Sequence, residues 1–91
     1  MFVDTIRKAA LENKTINITY KKKVKARNIT SETKDYQNLE PYKIAGDRFW
    51  AFDTRSGHIK QFILREDSPD NGIVFLRVNE DKFEPRYPIE V

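Results

Sequence analysis

The apolar residues of this chain change period once, at Asn13. Before it, Phe2, Ile6, Ala9 and Ala10 recur at helical spacing with Val3 beside them, while Arg7, Lys8 and Glu12 fall on the other side. After it, Ile16, Ile18 and Tyr20 alternate with Thr15, Asn17 and Thr19, which places three apolar groups on one face of a strand. The spacing predicts one short amphipathic helix over residues 2–12, with Asn13 and Lys14 suited to its C-terminal end, and a chain of strands behind it.

Turn signals divide the rest. The first strand is expected over 15–20, with Lys21-Lys22-Lys23 on a hairpin tip because three like charges favour a solvated turn. Val24 to Thr30 is extended, and Ser31 to Lys34 reads as a turn or loose loop. Tyr36 to Ala45 contains Pro41, which belongs at a strand start, edge or bend. Gly46-Asp47 is a two-residue hairpin signal, and in Arg48 to Asp53 Trp50 and Phe52 share one face while Phe49 and Ala51 share the other. Thr54 to Gly57 is a turn, His58 to Arg65 a strand, Ser68 to Gly72 a loop and Ile73 to Val78 the last long strand. Asn79 to Val91, with Pro85 and Pro88, is expected to be extended and anchored by Phe83, Tyr87, Ile89 and Val91. The expectation is a mainly β domain spanning 1–91: a small antiparallel SH3-like or Sm-like barrel of five or six strands over 15–78, one N-terminal α-helix, and an extended segment 79–91.

Ninety-one residues suffice for one domain with one small core. The chain has no Cys and one His, which removes disulfides, thiolate zinc sites and a Cys nucleophile, and leaves no His-rich metal site. Its longest aliphatic or aromatic run, Ile73 to Leu76, is far below the roughly 20 residues a membrane span needs, and its start lacks a signal-peptide pattern. A cytoplasmic location is expected, and three Asn-x-Thr patterns at Asn13, Asn17 and Asn28 are read as chance. The net charge of +3 is unevenly spread: residues 1–65 carry 14 Lys/Arg against 7 Asp/Glu, and residues 66–91 carry 3 against 7. Such a basic part favours polyanionic ligands, with an acidic part able to repel or shield them.

Five segments in order carry a family resemblance: Ile6 to Ala10 followed by Ile16-Asn17-Ile18-Thr19-Tyr20; Leu39-Glu40-Pro41-Tyr42-Lys43-Ile44; Phe49-Trp50-Ala51-Phe52-Asp53; Ile59-Lys60-Gln61-Phe62-Ile63-Leu64; and Phe83-Glu84-Pro85-Arg86. Together they resemble a small stand-alone WYL-type domain. That resemblance implies a helix leading into an Sm-like or SH3-like barrel that senses a ligand, often a nucleic acid or nucleotide, in a regulatory role. The name-giving tripeptide is replaced by Phe49-Trp50-Ala51-Phe52, Gln37 stands where the family has a basic residue, and Glu66 where it has an Arg. One helix is too little for an attached helix-turn-helix reader, so ligand binding without an output domain is the implied function.

The candidate site residues are basic groups on neighbouring strands and turns, Arg27, Lys43, Arg48, Arg55, Lys60 and Arg65, together with Tyr42 and Trp50 as rings on which bases could stack. Tyr20 is read as a core residue with its hydroxyl at the edge. Asp53, Ser56 and His58 are the only catalytic-looking grouping, and no nucleophile-elbow pattern surrounds the serine. Glu66, Asp67 and Asp70 do not match an EF-hand loop. The expected function is therefore a non-enzymatic module, without cofactor or metal, that binds an anionic ligand of nucleic-acid or nucleotide type. The alternative is a protein-interaction or oligomerisation module using sheet edges and the 79–91 segment.

Overall fold

The computed structural model of the protein describes residues 2–26, 29–64 and 72–91. Helix α1 spans Phe2–Leu11 and buries Ile6, Ala9 and Ala10, with Asp4 in its first turn and Lys8 in its last, each placed favourably for the helix dipole. It stops at Asn13, whose left-handed φ of 55° ends the spiral. The Asn13 N–H and side-chain amide both donate to the Ala10 carbonyl, at 3.1 and 3.2 Å, satisfying an otherwise orphaned acceptor.

Five antiparallel strands follow: β1 Lys14–Ala26, β2 Ile29–Ala45, β3 Arg48–Asp53, β4 His58–Ile63 and β5 Gly72–Lys82, in the spatial order β4-β3-β2-β1-β5. The β2–β3 hairpin closes through Gly46-Asp47 with Gly46 at φ 61°, and the β3–β4 turn ends on Gly57 at φ 76°, both backbone settings that glycine adopts without strain. Register shifts interrupt the ladders between Ile16 and Ile18 and between Pro41 and Lys43. Asn38 takes up the first with φ 56°; its N–H donates to Asn17 Oδ1 at 2.9 Å, and Asn79 Nδ2 donates to the same oxygen at 2.9 Å and to Thr15 Oγ1 at 3.1 Å. Bulges of this kind bend and twist long strands.

The bent sheet curls around a core made by Ile16, Ile18, Tyr20, Leu39, Phe49, Ala51, Phe62, Leu64 and Ile73, onto which α1 packs Ile6 and Ala9. Phe49 and Phe62 stack with centroids 5.0 Å apart, and Tyr20 and Tyr36 meet Phe62 edge-on at 5.1 and 5.0 Å. The Ile63 N–H on β4 donates to the Tyr20 hydroxyl on β1 at 3.0 Å, so the two limbs of the curl meet through a side chain. Among the described residues no backbone ladder joins β4 to β5. The mainly β class, the single N-terminal helix and the antiparallel pairing of the five strands agree with expectation; β1 to β4 follow one another across the sheet, whereas β5 returns to pair with β1.

Three expectations about local structure change. Lys21 to Lys23 are not a hairpin tip: β1 runs through them, with Lys21 opposite Thr33 and Lys22 opposite Glu32, and Ser31 to Lys34 are strand rather than turn. Successive strand side chains point to opposite faces, so Lys21 and Lys22 do not crowd one another, and an acid stands across from Lys22. β5 likewise runs on to Lys82, beyond Val78. The segment after β5 then folds back over the outer face of β2 and β3, burying Phe83 against Tyr42 with ring centroids 5.5 Å apart.

Candidate functional site

On β1 the inward row Ile16, Ile18, Tyr20 continues one step further, to Lys22, where the core has ended. Arg48 at the start of β3 and Lys60 on β4 reach the same place, and together with Tyr20, Tyr36 and Gln61 they line a groove of about 450 Å³ at the open end of the curl. Among the described residues no carboxylate lines it. Lys34 Nζ and Lys60 Nζ each lie 5.2 Å from the centre of the Tyr36 ring, close enough for cation–π attraction. Past Lys60 the groove continues into a recess of about 130 Å³ where Lys34 and Arg55 stand beside Asp35 and Asp53.

The charges differ in how far they are compensated. Lys22 is exposed. Arg48 Nε is 3.9 Å from Asp47 Oδ1, a loose contact with both side chains about half in water. Lys60 Nζ lies 3.4 Å from Oδ2 of the buried Asp53. Burial would raise the Asp53 pKa, but the Arg55 N–H, donating at 3.0 Å, together with Lys60 and Ser56, outweighs it and holds the group below its ordinary value. Asp53 thus organises the β3–β4 turn through Arg55 and Ser56.

The sequence candidates fall into three sets. Arg48 and Lys60 meet in the groove, and Arg55 lies in the adjoining recess. Lys43 and Trp50 lie on the opposite, outer face: Lys43 Nζ sits 5.2 Å from the Trp50 ring centre and 3.8 Å from Glu90 Oε2. Arg27 and Arg65 lie outside the described residues, as do Glu66, Asp67 and Asp70. The described candidates therefore do not form one patch: Arg48 and Lys60 line the groove, while Lys43 and Trp50 pair with each other away from it.

Tyr42 is corrected as a stacking ring. It is 3 % exposed and lies beneath the 83–91 segment, edge-on to Tyr87 at 5.2 Å as well as to Phe83. Its hydroxyl donates to Glu40 Oε1 at 2.7 Å and accepts the Arg86 N–H at 2.9 Å. Burial, helped by the Glu40 carboxylate and opposed by the Arg86 N–H, pushes its pKa up to about 12. Arg86 Nε and Nη2 grip the buried Glu40 at 3.0 and 3.3 Å, and its guanidinium lies 4.3 Å from the Phe52 ring centre. A hollow of about 490 Å³ beside this cluster is lined by Glu40, Asp81 and Glu84 against Lys82 and Arg86, a balance that does not favour an anion.

Sequence reasoning missed Lys22 and Tyr36 as members of the groove and Lys34 as a member of the adjoining recess. The signal was present in the unbroken alternation Ile16, Ile18, Tyr20, Lys22, which reading the three lysines as a turn cut short. No helix among the described residues is long and apolar enough to cross a membrane. Compared with family models, curated proteins and solved structures, the chain matches none of them.

Proposed function

We propose that this chain is a non-catalytic binding module for an anionic ligand of nucleic-acid or nucleotide type, held at the open end of the curl. The observation that carries the reading is the convergence of Lys22, Arg48 and Lys60 from three strands onto one groove with no carboxylate among its described lining residues. Three cations on low-dielectric walls focus potential onto that groove, and Tyr20 and Tyr36 line its floor. Its volume of about 450 Å³ lies within the common range for small-ligand sites, about 300–1,000 Å³. A regulatory, WYL-type role in the cytoplasm belongs to the same proposal and rests on the five-segment resemblance.

Titration of labelled single-stranded RNA, single-stranded DNA and a mononucleotide at two salt concentrations tests it. Binding is expected to weaken as salt rises, because each neutralised phosphate releases counterions, and to weaken again in Arg48→Glu and Lys22→Glu. Absence of binding at low salt, or binding indifferent to both reversals, would sink the reading.

A further inference from the structure

β2 is flanked by β1 only as far as Leu39, opposite Ile16, whereas β3 accompanies it to Ala45. The edge from Tyr42 to Ile44 is therefore left open on the β1 side, and 83–91 fills it. The Glu90 N–H donates to the Tyr42 carbonyl at 2.7 Å and the Ile44 N–H to the Glu90 carbonyl at 3.1 Å, an isolated parallel bridge. Side chains complete the seat: Arg86 forks onto Glu40, Tyr87 meets Tyr42 and Lys43 faces Glu90.

The way this segment is held separates it from the strands. Phe83 is buried and its N–H is bonded to the Asn13 carbonyl at 2.8 Å, so it belongs to the body, while residues 84–88 are all exposed. Pro85 and Pro88 supply no N–H, so the segment cannot lengthen its single bridge into a ladder. Its contacts are those of a short peptide added to a sheet edge, with main-chain pairing for affinity and an Arg in an acidic socket for specificity.

We propose that the Tyr42–Ile44 edge of β2, with Glu40 beside it, is a peptide-docking site whose ligand in trans is segment 84–91 of a second copy of this chain, each copy's own segment holding the site closed in the monomer. The charges match between copies as they do within one: an acidic socket at Glu40 for Arg86, and Lys43 for Glu90. Exchange replaces each contact by an identical one, the low-cost route to a dimer. Tethering gives the copy's own segment a millimolar-range effective concentration, so the closed monomer prevails at micromolar protein and an opened socket is captured by a neighbour. The proposal is independent of the anion groove on the other side of the sheet.

Complementary charge variants of the full chain test it. In Glu40→Lys the socket is basic and repels its own Arg86; in Arg86→Glu the segment is acidic and repels its own Glu40. Each alone is expected to sediment as a monomer, and a one-to-one mixture as a dimer in which each segment sits in the other chain's socket. A mixture that stays monomeric while both variants keep wild-type circular dichroism overturns the proposal.

Should Glu40→Lys not fold, a second measurement decides. Full chain carrying Arg86→Glu and Tyr87→Ala is titrated with a fluorescent peptide of residues 82–91. Saturable binding is expected, with the Arg86→Glu peptide about thirtyfold weaker or more. No binding, or equal binding of the two peptides, overturns the proposal.

Discussion

The groove at the open end of the curl and the outer face of β2 use charge in opposite ways. At the open end of the curl, Lys22, Arg48 and Lys60 line a groove with no carboxylate among its described lining residues; Lys60 is tied to Asp53 at 3.4 Å, while Lys22 and Arg48 stay exposed and turn their charge toward whatever enters. On the outer face, Glu40 is 4 % exposed and its carboxylate takes hydrogen bonds from Arg86 and the Tyr42 hydroxyl, so charge there holds the chain to itself. A charge facing water costs the fold little and remains available to a ligand, whereas a buried one must be answered within the molecule.

The largest effect that would break this contrast is on stability. Glu40→Ala removes the socket for Arg86 and the acceptor for Tyr42. Arg86 keeps half its side chain in water, which places the expected loss near about 2 kcal/mol in urea unfolding. Arg48→Glu in the groove should stay within about 0.5 kcal/mol of the parent. Equal losses from the two would erase the distinction.

Ligand affinity provides the next comparison. Arg48→Glu is expected to weaken nucleotide or oligonucleotide binding at low salt about tenfold, which corresponds to about 1.4 kcal/mol. Lys43→Glu on the outer face should change it less than about twofold, since Lys43 lies over Trp50 beside Glu90 rather than in the groove. Similar losses from both would move the ligand off the groove.

The pH dependence of stability separates the faces again. The Tyr42 pKa is raised from 10.0 to about 12, so its neutral form stabilises the fold fully below pH 10, and that contribution is lost as pH rises from 10 through about 12. Tyr42→Phe should cost about 1 kcal/mol at neutral pH and flatten the alkaline limb of the unfolding curve. A parent protein whose four tyrosines all ionise together near pH 10 by ultraviolet titration would contradict the burial of this phenol. Asp53 gives the smallest effect, with the reverse sign: its pKa is held below 3.8, so its contribution is present above that value and lost as pH falls below it. Lys60→Met, which removes the ion pair, should flatten that acid limb by about 0.5 kcal/mol, measured by thermal unfolding from pH 5 to pH 2.

Much of this architecture is legible in the sequence. The helix and its end at Asn13, the Gly46-Asp47 hairpin, the Thr54–Gly57 turn and the opposed faces of β3 all depend on neighbours a few residues apart, and each residue there has a local preference strong enough to read. The triple lysine reads as a turn only while the strand is ignored: within β1, alternation sends Lys21 and Lys22 to opposite faces, and Glu32 stands at the position across from Lys22. Tyr42 was misread for a related reason. Its cover, Phe83 and Tyr87, lies some forty residues away, and no local signal tells a chain which of its faces a distant segment will lie across.

The site was legible only in its ingredients. Sequence by itself determined a helix followed by alternating strands, the positions where the chain reverses, and a surplus of cations in the first two-thirds, because those follow from short-range sterics and periodicity. Tertiary structure decided that Lys22 joins Arg48 and Lys60 while Lys43 faces away, and that Glu40 meets Arg86. Those outcomes depend on the bulges at Asn38 and Tyr42 and the curl they impose on the sheet, a collective geometry summed over all five strands rather than written at any one position.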